Sequence, residues 1–182
     1  NCIMDGNIRP NSTQEKLDSL KLAFDPNGTV TAATSSPLTD GAAATLICEE
    51  NYAKENNLDI LGRIISTAVE GCNPDYMGLG PIGATKKALS RANLSIDKID
   101  IFELNEAFAS QSLACIKDLE IDQSKINIDG GALALGHPLG ATGARITGKA
   151  ADLLKRENKK YALSTQCIGL GMGIATVIEN ID

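Results

Sequence analysis

From residue 60 onward the sequence alternates short β-branched runs with stretches of helical character, and this alternation confines the chain to few architectures. Residues 60–69 read as a buried strand. A helix is expected over 81–91, with proline near its first turn, then a strand over 99–104, a helix over 106–119 and a strand over 125–128. Residues 141–155 form another helix, followed by strands over 161–167 and 173–179. Strands interleaved with helices indicate an α/β layered domain. The gap between the last two strands suits an antiparallel pair, so the sheet is expected to be mixed and flanked by helices.

Upstream the signals are local. Ser12-Thr13-Gln14-Glu15 has the form of a capping box ahead of Leu17, Leu20 and Leu22, predicting a helix near Ser12. Asp25-Pro26-Asn27-Gly28 is a turn signal, with a short strand expected over 29–32. Thr39-Asp40 could cap a helix over 42–56. Residues 71–83 read as a long loop. Residues 1–40 look like a linker or the tail of another unit, and 41–182 like the main domain.

Composition excludes several classes. The chain has 182 residues, 43% hydrophobic and 22% charged, with a formal charge of −6, enough for one globular domain. That charge gives no footprint for nucleic acid or an anionic membrane. No apolar run approaches the roughly 18–20 residues that a membrane span needs. Cysteines stand at 2, 48, 72, 115 and 167, odd in number and without a CxxC pair. No structural metal is expected from them, and a reducing cytosol is the simplest setting. The first residue is Asn and no signal peptide follows, which leaves a processed protein or a fragment of a longer one.

Three segments follow expected strands, where α/β folds tend to place ligands. In Asn105-Glu106-Ala107-Phe108-Ala109 the asparagine is either a helix cap or an amide orienting a water or substrate oxygen. The stretch from Gly130 to Gly140 contains His137, the one histidine. A lone histidine is most often structural. This one sits in a glycine-dense loop before a helix N-terminus, where it could act as base, donor or both. The third segment is Cys167-Ile168-Gly169-Leu170-Gly171-Met172-Gly173. A buried cysteine is ordinarily a small hydrophobe, but glycines at spacing two free N–H groups to converge as an oxyanion hole. A thiol near its usual pKa of about 8.5 needs little tuning to exchange protons.

Two patterns are set aside. Gly78-Leu79-Gly80-Pro81-Ile82-Gly83 fits GxGxxG but lies too far from the preceding strand for a dinucleotide turn. Gly143 to Lys149 fits GxxxxGK but lies inside an expected helix, and Ala150 replaces the Mg²⁺-binding hydroxyl.

Together, in order, the three segments resemble the C-terminal signatures of thiolases. Gly28-Thr29-Val30-Thr31-Ala32, Asp40-Gly41-Ala42-Ala43-Ala44 and Met77-Gly78-Leu79-Gly80-Pro81 are similar to further family segments, so the resemblance covers essentially the whole chain. Its texture is closest to degradative 3-ketoacyl-CoA thiolases, the β-subunits of bacterial fatty-acid oxidation complexes. The resemblance implies a thiolase-like layered domain, with 1–40 closing a loop domain and 41–182 forming the C-terminal domain.

It also implies residue roles. His137 would activate a nucleophilic cysteine and donate into one oxyanion hole, completed by a water on Asn105. Cys167 would protonate the acetyl-CoA enolate and deprotonate incoming CoA, with the Gly169 N–H in a second hole. Phe24, Ser36, Met77 and Phe108 would line the pantetheine tunnel. Acyl-CoA and coenzyme A are implied as substrates, CoA as co-substrate with no permanently bound cofactor and no metal. The implied partners are a missing N-terminal half, further copies in a homo-oligomer and a β-oxidation α-subunit, in the cytoplasm.

No cysteine here stands in the nucleophile's context, and family members are about twice as long. The chain is therefore expected to be one part of such an enzyme and inactive alone. A biosynthetic acetoacetyl-CoA thiolase and a non-catalytic CoA- or lipid-binding module are the alternatives. A ketoacyl synthase with a Cys-His-His set would need a second histidine.

Overall fold

The computed structural model of the chain describes residue 3 and residues 5–181; Cys2 lies outside the described residues. Its centre is a mixed sheet of β1 (Arg63–Gly71), β2 (Ile101–Leu104), β3 (Tyr161–Ile168) and β4 (Met172–Glu179), in the order β1-β4-β3-β2. β4 runs antiparallel to both neighbours, whereas β2 and β3 are parallel. The helices are α1 (Gln14–Asp18), α2 (Glu50–Glu55), α3 (Gly80–Ala92), α4 (Ala109–Asp118), α5 (Ala132–Leu135) and α6 (Leu139–Arg156).

Side chains alternate across a strand, and here the alternation builds two cores. Phe102, Leu163, Ala175 and Val177 pack with Ala84, Ala88 and Leu89 of α3. Their neighbours Ile101, Ala162 and Ile178 pack with Ala150, Ala151, Leu153 and Leu154 of α6. Burying each large aliphatic side chain contributes about 1.5–3 kcal/mol. The result is a sheet with α3 on one face and α6 on the other, the expected α/β layering.

The parallel pair β2–β3 needs a crossover connection, and α6 is its return limb. Gly143 lies beside Gln166, the Thr147 hydroxyl is 3.1 Å from that of Ser164, and Ala150 to Leu154 meet Ala162. Thus α6 runs antiparallel to β3, and its N-terminus stands at the carboxyl edge of β2 and β3.

Several local expectations give way to tertiary contacts. The first helix is capped by Thr13, not Ser12, and lasts barely a turn. Residues 29–32 supply a single bridge, Leu22 to Thr31, before Thr31 and Thr34 cap a 3-10 turn. The Asp25–Gly28 turn is present, the Gly28 N–H donating to the Asp25 carbonyl at 2.9 Å. The helix expected over 42–56 survives only as α2, capped by the Glu49 carboxylate. Residues 40–49 have no regular structure; Gly41 lies against Pro138 and Thr45 against Gly148. A short alanine-rich helix is marginal alone, and contact along α6 outweighs it.

In place of a strand over 125–128 there is a 3-10 turn, Gln123–Lys125, and one bridge from Ile126 to Phe102. Asn127 then imitates a strand's peptide group. Its carboxamide accepts from the Leu104 N–H at 2.9 Å and donates to the Leu104 carbonyl at 2.8 Å. The expected loop over 71–83 contains a 3-10 segment, Pro74–Leu79, running into α3.

Candidate active site

At the carboxyl edge of β2, the Asn105 N–H donates to the Thr165 carbonyl of β3 at 3.0 Å. This continues the parallel ladder one residue beyond the strand. Helix α4 begins only at Ala109, behind Phe108, so the reading of Asn105 as a cap is excluded. Its side chain is 1% exposed, yet neither the amide oxygen nor the nitrogen has a hydrogen-bond partner. Such groups cost about 1–3 kcal/mol each when left unsatisfied. The fold thus holds an uncompensated carboxamide at the carboxyl edge of β2, the place where α/β sheets tend to put ligands.

His137 is delivered by the loop between α5 and α6. Gly136 supplies the turn with φ of 104°, a conformation that suits glycine, and the space a side chain would fill is occupied by Thr39. The Thr39 hydroxyl accepts from the His137 N–H at 3.1 Å. On the ring, Nδ1 lies 2.7 Å from the Thr142 hydroxyl, which itself donates to the Pro138 carbonyl at 3.0 Å. Thr142 has one hydroxyl proton and the carbonyl can only accept. Both contacts are satisfied when Nδ1–H donates to Thr142, leaving Nε2 with its lone pair. Burial, and then the nearby Arg145 cation, hold the imidazole pKa below its usual value. His137 is thus kept neutral with a basic Nε2, the form a general base requires.

Cys167 is the penultimate residue of β3, opposite Gly173. Burial pushes its thiol pKa up, with Cys72 adding to the rise and a backbone hydrogen bond opposing it. The sequence suggested a thiol needing little tuning; the structure instead holds it more firmly protonated. The thiol therefore keeps its proton until a more basic carbon needs it, and its thiolate, once formed, is a strong base.

The three glycines after it are not equivalent. A Cβ on Gly173 would collide with the backbone of Gly80, and Gly171 is pressed against Cys72 and Pro74. Gly173 thus lets the β3–β4 hairpin pack on the start of α3, and Gly171 lets it pack on the segment that follows β1. Only Gly169 would admit a side chain without collision, so of the three it alone has no packing role. Gly80 is itself packed on Met172, so the GxGxxG pattern is a packing seam and not a phosphate turn. The GxxxxGK pattern lies wholly within α6.

Of the four expected tunnel residues, three are brought together. The Ser36 N–H and hydroxyl both donate to the Ala107 carbonyl, at 3.0 and 3.2 Å. Ser35 bridges Phe108, and the Phe108 ring meets Phe24 edge-on at 6.3 Å. Met77 stands apart on the 3-10 segment, which reaches α4 through the Cys115 thiol donating to the Gly78 carbonyl at 3.4 Å.

Sequence reasoning missed the groove beside this cluster. It measures about 800 Å³ and its lining includes Arg9, Lys16, Ser35, Pro37, Leu133 and Ala134. Arg9 and Lys16 belong to no motif in the sequence; only the fold places them beside α5, the short helix that leads to His137. Among the described residues, no three His, Cys, Asp or Glu side chains gather as a metal site, and no helix is long and apolar enough to cross a membrane.

The comparisons with known proteins agree with this geometry. The family model described as the thiolase C-terminal domain matches residues 58–180, and that of the thiolase N-terminal domain matches residues 1–51. The chain is 58% identical over 176 residues to the 3-ketoacyl-CoA thiolase of Aliivibrio salmonicida, covering 94% of this chain and 46% of that protein. It superimposes on human mitochondrial 3-ketoacyl-CoA thiolase with a TM-score of 0.91 at 43% identity, over 98% of this chain and 45% of that one. The human enzyme has also been solved in complex with CoA. For the acetyl-CoA acetyltransferase of Bacillus anthracis the TM-score is 0.93 at 43% identity, over 96% and 44% of the two chains. The chain thus spans about half the length of the curated relatives it matches, and within that span it belongs to the thiolase family.

Proposed function

We propose that these residues are the acid–base half of a 3-ketoacyl-CoA thiolase that cleaves 3-ketoacyl-CoA with CoA. The observation that carries this reading is the neutral His137, with Nε2 free, at the edge where Asn105 offers an unpartnered amide. Residues outside these 182 supply the nucleophilic cysteine. Its thiol proton passes to His137 Nε2 as sulfur attacks the 3-keto carbon, whose oxyanion is met by His137 and a water on Asn105. The C2–C3 bond breaks, its electron pair goes to C2, and the Cys167 thiol protonates the resulting acetyl-CoA enolate. Incoming CoA gives its thiol proton to the Cys167 thiolate and takes the acyl group, and the departing cysteine recovers its proton from His137. The Gly169 N–H stabilises the enolate oxygen.

The groove fits the rest of such a substrate. Phe24, Ser36 and Phe108, with Met77 at the flank, would guide pantetheine, while Arg9 and Lys16 would meet phosphate groups. CoA is then a co-substrate and not a resident cofactor. A cytoplasmic setting supplies the reduced thiols that this chemistry needs, in a homo-oligomer with a β-oxidation α-subunit as partner. We place the end of the loop domain near residue 40; the family models change over between 51 and 58, and limited proteolysis would locate the joint.

Intact-mass measurement tests the reading. These 182 residues incubated with acetoacetyl-CoA should gain no stable acyl adduct and release no acetyl-CoA. An adduct with turnover from this chain alone would contradict it.

A further inference from the structure

Glu106 has no part in the proton transfers, yet both of its carboxylate oxygens are engaged. One carboxylate oxygen accepts from the Asn127 Nδ2–H at 2.7 Å and the other from the Leu133 N–H at 3.0 Å. Asn127 is the residue whose carboxamide also pairs with both backbone groups of Leu104, immediately before Asn105. Leu133 lies in the first turn of α5, whose last residue leads through Gly136 to His137. Gly131 leaves no room for a side chain against the carboxylate, so the loop closes directly onto Glu106.

We propose that Glu106 is a positioning residue that fixes the loop bearing His137 against the strand end bearing Asn105. This rests on the thiolase reading above. The loop 128–138 is also held by Arg156 and Lys149 on Asp129, at 2.6 and 2.7 Å for the two Arg156 bonds, by the Asn7 amide on the Leu135 carbonyl at 3.2 Å and by Thr39 on the His137 N–H. Among these contacts, Glu106 is the one that joins the first turn of α5 to the segment carrying Asn105. Misplacing a reacting group by about 1 Å can cost on the order of 10²-fold in rate.

Both bonds to Glu106 come from N–H groups, so the site accepts only acceptors. Glu106→Gln keeps the shape but turns one oxygen into a donor facing a donor. Gly131→Ala is the independent variant: its Cβ would occupy the space of the Glu106 carboxylate and push the loop off it while leaving Glu106 itself intact.

The test is steady-state kinetics on the intact thiolase that contains this chain, with wild type, E106Q and G131A. In E106Q, kcat should fall about 10- to 100-fold, with the KM for CoA changing less than about threefold; G131A should lower kcat at least about fivefold in the same pattern. Wild-type kcat in E106Q, or in a folded G131A, would overturn the proposal. Loss of folding in both variants would also overturn it, since Glu106 would then determine the fold rather than the place of His137. An inactive wild-type enzyme would instead refute the thiolase reading itself.

Discussion

His137 and Thr142 form a proton-fixing pair: the ring Nδ1 lies 2.7 Å from a hydroxyl that passes its own proton to the Pro138 carbonyl. The partner sits one turn into the helix that His137 precedes, so the tautomer is set by local sequence, within five residues. Thr142→Val keeps the shape and removes the acceptor. In the intact enzyme kcat should fall about 10-fold or more, within the 10²–10⁴ that a general base contributes. Thr142→Ser should retain most activity, as steady-state rates would record.

The pH profile follows from the two shifted groups. His137 must be neutral to act as base, and its pKa lies below 6.5 because of burial and then Arg145. Cys167 must be protonated to act as acid, and burial holds it above 9.0. The plateau of kcat/KM should therefore extend below pH 6.5 and above pH 9.0. Arg145→Ala removes a cation that opposes imidazolium, so the acidic limb should move to higher pH. An unmoved limb in a pH–rate series would show that Arg145 does not act on His137.

Asn105 should separate stability from activity. Its amide makes no hydrogen bond in the structure, so Asn105→Ala removes no native partner. Denaturant titration should show a change in unfolding free energy below about 1 kcal/mol. Activity of the intact enzyme should drop about 10²–10³-fold, the usual effect of losing an oxyanion donor.

Glu103 makes an independent prediction about folding. It is 2% exposed on the α6 face of β2, and burial raises its pKa from 4.5 to about 7 against the opposing pull of Arg145 and Lys149. The folded state thus holds its proton more tightly than the unfolded state. This contribution to stability is full below pH 4.5 and is lost as pH rises towards 7. A shift of that size is worth up to about 3 kcal/mol. Glu103→Gln should raise the melting temperature at pH 8 and leave it nearly unchanged at pH 4.5, as calorimetry would show.

Much of this was legible in the chain. The strands expected over 60–69, 99–104, 161–167 and 173–179, the helices between them and the antiparallel hairpin are local signals, and the structure has each of them. What was not legible depends on long-range contact. Gly169, Gly171 and Gly173 look alike in sequence, but only the packing of β4 on α3 shows which remains open. Asn127 read as part of a strand because its side chain's imitation of a peptide group leaves no periodic signature. The helix expected over 42–56 yielded to a surface, α6, encoded about a hundred residues away. Arg9 and Lys16 gained meaning only when the fold set them in one groove with Leu133.

The central claim is that His137 and Cys167 divide the proton transfers of one thiolase reaction. Its most direct test is deuterium incorporation from D₂O into the methyl group of acetyl-CoA, measured by mass spectrometry alongside acylation of the intact enzyme. Cys167→Ala should abolish the exchange, and His137→Ala should abolish acylation of the nucleophile. Exchange at the wild-type rate in Cys167→Ala, or normal acylation in His137→Ala, would contradict the account.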